Sequence, residues 1–217
     1  MTIAKQRRLP PCAGGNIAKE RRIEKATGAE NFGLGVRSAA RGLWRGETGL
    51  ADFLVQLNGS IVRWYEVAWR EGAKACGVLP EDRTLEEQVL LDQHVGTAQQ
   101  RVMDLGRFVE ANSKANGGKW GSLLPRLSIW SNRYEEVKAQ AQQVSCKDQK
   151  LMWVINPEKE SCSSCIKLNG RVYRASIWAK YKIRPKMREL DCGGWLCGCI
   201  FQVTTEPVTP GRPPKIP

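Results

Sequence analysis

The chain has 217 residues and a formal net charge of +12. This length allows one large domain or two small ones, with a core that needs no disulfide or metal merely to fold. Its apolar runs fall short of the roughly 18 residues that a membrane span requires, and its first residues lack the apolar part of a signal peptide. We therefore expect a protein that is made and kept in a cytoplasm and that has a polyanionic partner.

The first segment, residues 1–47, is strongly basic. It carries ten lysines and arginines against four acids, and it has few large apolar residues. A segment of this composition is not expected to build a core. We predict a flexible N-terminal segment that either stays solvated or becomes ordered on a partner or on nucleic acid.

Residues 48–147 are predicted to form a helical domain of about three long helices, because apolar residues recur at spacings of three and four. The first helix is expected from Leu50 to about Ala75. The second follows a possible capping box of Thr84 and Glu87 and ends near Asn112. The third is expected to have Pro125 in its first turn. The single histidine, His94, falls inside the second helix, where a partly exposed or hydrogen-bonded side chain is expected.

Beyond residue 147 the helical period is lost. Three short runs, LMWVI, GRVYR and CIFQVTT, are rich in β-branched and aromatic residues, and turn residues separate them. They predict a small β-rich module over residues 148–205. The last residues, 206–217, are rich in proline and are predicted to form an extended tail rather than a packed element. The fold class is therefore predicted as α+β.

Five of the eight cysteines lie in this module, in the motifs CSSC and CGGWLCGC. Structural zinc is usually held by two short loops that each offer thiolates a few residues apart, and a reducing compartment disfavours disulfides. Cys162 and Cys165 are the first expected ligands and Cys197 the next. The fourth is either Cys192 or Cys199, and Cys192 is preferred because a two-residue spacing strains a tetrahedral chelate.

The clustered cysteines have two alternative interpretations, which are a chance grouping of inert thiols and a redox role. A catalytic zinc would normally use histidine or carboxylate ligands and keep an open position, and one histidine does not favour it, so no enzyme is predicted. Trp195 is expected to cover the metal site. The remaining cysteines, Cys12, Cys76 and Cys146, are isolated in the sequence and are interpreted as ordinary small residues.

The order of these parts resembles the phage Mu F-like minor head proteins, which take part in head morphogenesis of tailed phages. Their C-terminal domain carries a Trp, an acidic turn, Cys-x-x-Cys, an LxG followed by a strand, and a closing His-Pro-x-Cys-Arg-Cys. The matching residues here are Trp153, Cys162, Cys165, Leu168, Gly170, Val172, Tyr173, Cys197 and Cys199. The usual histidine of the closing motif is missing, and Cys192 would replace it. The resemblance spans residues 50–205 and is most specific in 150–201.

The resemblance implies a structural virion protein that lies inside the capsid near the portal, after synthesis in the cytoplasm of a host bacterium. Portal and capsid proteins are then the expected partners, together with double-stranded DNA that basic residues contact without sequence preference. Two alternatives remain open: a zinc-ribbon regulator that binds nucleic acid, and a zinc-stabilised accessory domain of an enzyme.

Overall fold

A computed structural model describes residues 27–194 and 197–216. Its elements follow one another as four long helices, α1 to α4, and then a mixed segment of short helices and strands. They are α1 (Gly28–Arg45), α2 (Leu50–Lys74), a 3-10 turn (Pro80–Asp82), α3 (Leu85–Ala111), α4 (Trp120–Ser145), β1 (Lys150–Val154), α5 (Ser163–Leu168), β2 (Val172–Arg174), α6 (Ala175–Lys180) and β3 (Ile200–Val203). The predicted α+β class is confirmed.

The three predicted long helices are present as α2, α3 and α4. Thr84 caps α3 in a complete capping box, in which its side chain accepts from the Glu87 N–H and the Glu87 carboxylate accepts from the Thr84 N–H. The position of Pro125 was predicted wrongly, because α4 begins at Trp120 and the proline lies in its second turn. No helix among residues 27–194 and 197–216 combines the length and apolar character needed to cross a bilayer.

The prediction for residues 1–47 is wrong for their second half. Residues 28–45 form α1, which begins at a capping box of Thr27 and Glu30 and buries one face completely. Phe32 on this face lies between α2 and α4, with its ring centroid 5.8 Å from that of Tyr65 and 6.5 Å from that of Trp130. Three alanines and Gly33 stand beside Phe32, Val36 and Leu43 on this buried face. Residues 1–26 of the predicted segment lie outside the described residues.

The part of the chain that follows α4 is built on a three-stranded antiparallel sheet in the order β2-β1-β3. Leu151 and Trp153 of the central strand point to the same buried face, and Trp153 pairs with Phe201 of β3. Trp178 of α6 closes this face, and its indole N–H donates to the Leu151 carbonyl at 3.0 Å. The expected strands are present, but α5 and α6 together hold as many residues as the strands, so the module is mixed rather than β-rich.

The proline-rich tail was predicted to be unpacked, and this is wrong. It has no regular structure, but it lies along the free edge of β2, where Thr209 exchanges hydrogen bonds with Val172 in both directions. The Tyr173 hydroxyl donates to the carbonyl of Arg212 at 3.2 Å. Ile216 then packs against the core of the module. The tail thereby covers an edge strand that would otherwise leave backbone groups unpaired.

Two hydrophobic cores result, one among α1 to α4 and one in residues 148–205, which we call the cysteine module. The helix α4 serves both, because Leu127 and Trp130 belong to the first core and Ala139 to the second. Polar contacts add to this joint: the amide of Gln143 donates to the Ile183 carbonyl. The helix α4 therefore connects the cysteine module to the helical part of the chain, because it packs into both cores.

Candidate metal centre

The first cysteine loop is organised by the short helix α5. Cys162 is its N-cap residue and Cys165 lies one turn further on, where the Ile166 N–H donates to the Cys162 carbonyl at 3.0 Å. This three-residue separation brings both side chains to the N-terminal end of the helix. Cys165 is buried and Cys162 is half-buried. The Cys-x-x-Cys spacing of the sequence thus becomes a pair of sulfurs on one side of a helical turn.

The second loop, from Leu190 to β3, carries Cys192, Cys197 and Cys199. Gly194 has a φ of +73°, and a Cβ there would lie 2.1 Å from the Lys186 carbonyl oxygen, so no other residue fits without movement. A Cβ on Gly198 would lie 2.6 Å from the Cβ of Asn156. These glycines let the second loop pack closely against the segments that carry Lys186 and Asn156.

All five candidate ligands converge. Two groups of three sulfurs each lie within 4.8 Å of one another: one is formed by Cys162, Cys165 and Cys192, and the other by Cys165, Cys197 and Cys199. The sulfurs of Cys165 and Cys197 are 3.6 Å apart. Four thiolates around one zinc at about 2.3 Å would be separated by about 3.8 Å, so the cluster has the spacing that a thiolate-bound metal needs. Cys165 belongs to both groups and therefore lies at the centre of the cluster of five sulfurs.

The thiols perturb one another strongly. Hydrogen bonds from Cys165 and Cys199 lower the pKa of Cys197 to about 2, and the same interaction with Cys197 raises the pKa of Cys165. Burial raises the pKa of Cys192 to about 11. The sulfurs thus share protons, with negative charge concentrated on Cys197. A metal cation can replace those shared protons, because thiolates are the species that bind it.

Asp191 is a supporting residue that the sequence-based prediction missed. Its carboxylate accepts from the Ser164 N–H at 2.9 Å, from the Ser164 hydroxyl at 2.7 Å and from the Ser163 hydroxyl. It therefore caps the first turn of α5 and fastens the loop of Cys192 to the loop of Cys162. These hydrogen bonds lower the pKa of Asp191. The sequence signal was an acid directly before one ligand and a Ser-Ser pair between two others.

Two buried side chains border the sulfurs. The indole N–H of Trp153 is buried beside Cys199 and has no nitrogen or oxygen acceptor among the described residues. The ammonium of Lys186 donates to the Cys197 carbonyl and brings a positive charge to the thiolate cluster. The charge of Lys186 favours the thiolate form of Cys197. Trp195, which was expected to cover the site, lies outside the described residues.

Cys76 and Cys146 are not isolated, contrary to the prediction. They form a disulfide with a Cα–Cα distance of 5.3 Å, across 70 residues of sequence. It joins the residues that follow α2 and α4, both of which end at the cysteine module. The sequence could not reveal this pair, because only the parallel packing of α2 against α4 brings their C-terminal ends together. Cys12 lies outside the described residues.

Comparisons with protein-family models, with curated proteins and with solved structures gave no match to this chain. The function of the protein is therefore inferred from its residues and their geometry.

Proposed function

We propose that the cysteine module holds one structural zinc ion and that the chain is a minor head protein of a tailed phage. The observation that carries the first part is the convergence of the five thiols on Cys165. In the two groups of candidate ligands among the described residues, every member is a cysteine, which is the donor set of a closed structural site rather than of a catalytic one. The zinc would be bound by Cys162, Cys165, Cys197 and Cys192.

The second part is supported by where the motif residues lie. Trp153, Leu168 and Tyr173 are all buried in the core of the cysteine module, directly around the cysteines. The residues that carry the resemblance to the Mu F-like proteins therefore lie together in one folded unit. A module held by metal and docked on long helices suits a structural role in a particle. Its place would be near the portal, beside packaged DNA, where the net positive charge is favourable.

The metal is tested on the purified, reduced full-length chain. We expect one zinc per chain by elemental analysis, and chelation should increase hydrogen exchange in residues 148–194 and 197–205 more than in α2 and α3, because metal binding contributes directly to the folding of such small sites. A folded, reduced sample without metal would rule out the zinc proposal.

The ligand set is tested by paired variants. Cys165→Ser should abolish metal binding, since its sulfur belongs to both groups of three. Cys192→Ser should lose the zinc and Cys199→Ser should keep it, measured as zinc content and by the thiolate-to-metal absorption of the cobalt-substituted protein. Full zinc occupancy in Cys192→Ser would instead assign the fourth position to Cys199.

The phage-head role is tested independently of the metal. Purified, nuclease-treated particles from cells that carry this gene should contain peptides of the chain by mass spectrometry, at fewer copies than the major capsid protein. Antibody labelling should place it at the portal vertex. Its absence from particles, together with tight binding to one particular DNA sequence, would favour the zinc-ribbon regulator.

A further inference from the structure

A cavity of about 560 Å³ lies between α3, α4 and residues 184–194 of the cysteine module. Its wall includes Arg101 of α3, Arg133 of α4 and the loop that ends at Gly194. Asn132 of α4 fastens that loop, since its side-chain amide donates to the Gly194 carbonyl at 3.2 Å. The cavity exists only because the module docks on the helices, and its volume is typical of small-molecule sites, which occupy about 300–1,000 Å³.

The described wall of this cavity is strongly cationic. Its basic residues are Arg101, Arg133, Arg184, Lys186 and Arg188. The acid among its described lining residues is Glu136, which pairs with Arg184 at 3.0 Å. The ammonium of Lys186 is engaged by the Cys197 carbonyl, which leaves Arg101, Arg133 and Arg188 without an acidic counterpart in this wall. We call it the cationic cavity.

Two of these arginines carry buried donors that lack an acceptor. The Nε atoms of Arg133 and Arg184 are shielded from solvent and have no hydrogen-bond partner among the described residues. A buried donor without a partner is costly, and such groups are rare in native structures. Arg133 is also held in place, because its guanidinium carbon lies 5.3 Å from the ring centroid of Trp130. Because these Nε atoms are shielded from solvent, a ligand in the open cavity would contact the terminal nitrogens of the guanidinium groups instead.

Neutral residues complete the wall. Gln93 and Gln140 offer amide groups, while Leu90 and Ile129 offer apolar surface. His94 contributes little positive charge near neutral pH, because burial lowers its pKa and Arg184 lowers it further. The cavity thus combines clustered guanidinium groups with a smaller neutral and apolar part.

We propose that the cationic cavity binds a compact ligand that carries two or more phosphate groups, of nucleoside polyphosphate size. Arginine forks match phosphate oxygens in two-point contacts, and a single small anion would leave most of the positive charge uncompensated. The neutral part of the wall suits the remainder of such a ligand. A DNA duplex is a poorer occupant, because a duplex needs an open basic stripe along its backbone rather than a concave site walled by two helices and a loop.

The test uses isothermal titration of the zinc-loaded full-length protein with inorganic tripolyphosphate at fixed salt. We expect saturable binding of one tripolyphosphate per chain, much tighter than binding of sulfate. Arg133→Gln should weaken binding by about tenfold or more, the usual effect of losing a charged hydrogen bond. Arg101→Gln, at an exposed position where folding is not at risk, should weaken it several-fold.

The matched control is Arg107→Gln, which removes the same charge from an exposed position of α3 that does not line the cavity. Its affinity should stay within about twofold of wild type, since distant exposed charges are largely screened. An equal loss in Arg107→Gln, or non-saturable binding, would overturn the proposal.

A 20-base-pair duplex provides the second arm of the test. Duplex affinity that falls in Arg133→Gln and Arg101→Gln as steeply as tripolyphosphate affinity would assign the cavity to nucleic acid and overturn it as well.

Discussion

At the scale of single residues, Asp191 is a side chain outside the candidate ligands that aligns the two loops of the candidate metal centre. Its hydrogen bonds to Ser163 and Ser164 align the two cysteine loops. We predict that Asp191→Ala lowers zinc affinity by about 10–100-fold, the usual effect of removing such a supporting contact. Competition with a chromogenic chelator measures it.

The control for Asp191 is Glu189→Ala, an exposed acid two residues earlier in the same loop. It removes the same charge without touching α5, so its zinc affinity should equal that of wild type. Equal losses in the two variants would mean that general negative charge, and not the hydrogen bonds of Asp191, supports the site.

Glu87 joins two helices through one carboxylate. It accepts from Thr84 at the start of α3 and from Ser145 at the end of α4. Burial alone would raise its pKa, but the hydrogen bonds from Ser145 and Thr84 and the charge of Lys147 together lower it below the ordinary value of 4.5. The carboxylate therefore stabilises the fold above pH 4.5, and this contribution disappears as the pH falls through the lowered pKa of the folded state.

We predict that Glu87→Gln lowers the free energy of unfolding by about 1–2 kcal/mol at pH 7, as expected for loss of a cap and a charged hydrogen bond. The difference in the free energy of unfolding between Glu87→Gln and wild type should become smaller below pH 4.5. Urea denaturation over a pH series measures it, with Glu86→Gln, an exposed neighbour in the same turn, as the control. A difference that stays constant with pH would show that the charge of Glu87 is not what stabilises the joint.

At the scale of elements, α1 is the long helix that the sequence analysis did not predict. We predict that Phe32→Ala lowers the free energy of unfolding by about 3–5 kcal/mol, because the ring is fully buried among aromatic side chains of α2 and α4. Leu34→Ala, on the exposed side of the same helix, should change it by less than about 0.5 kcal/mol. Guanidinium denaturation checks both. A small effect at Phe32 would mean that α1 is not part of the core.

At the scale of the whole molecule, the contribution of the basic N-terminal residues to DNA binding has to be tested without removing α1. Residues 1–26 hold seven lysines and arginines against two acids. If about four of these cations engage phosphates, duplex affinity should fall on the order of a hundredfold between 50 and 200 mM salt. Deleting residues 1–26 should flatten this dependence and leave the fold intact, whereas deleting 1–47 should unfold the helices because it removes α1.

Salt titrations with two unrelated duplexes measure this effect. Similar affinities for the two are expected, since phosphate contacts carry no sequence information. An unchanged salt slope after deletion of residues 1–26 would show that the DNA-binding cations lie elsewhere on the chain.

The sequence by itself determined the parts that depend on local pattern. Apolar spacing and one capping box located α2, α3 and α4, and β-branched runs located the three strands. The two cysteine motifs identified all five clustered thiols, because the short spacings within each motif are visible along the chain. The same information contained the capping box of Thr27 and Glu30, but alanine and glycine positions concealed the apolar face of α1.

Only the tertiary structure decided what depends on residues far apart in sequence. It packed α1 into the core, placed the tail along β2, joined Cys76 to Cys146 and set Asp191 against α5. It also gathered Arg101, Arg133 and Arg188 around one cavity. No local spacing along the chain reveals these contacts, because each joins residues far apart in sequence and depends on side-chain packing over the whole fold.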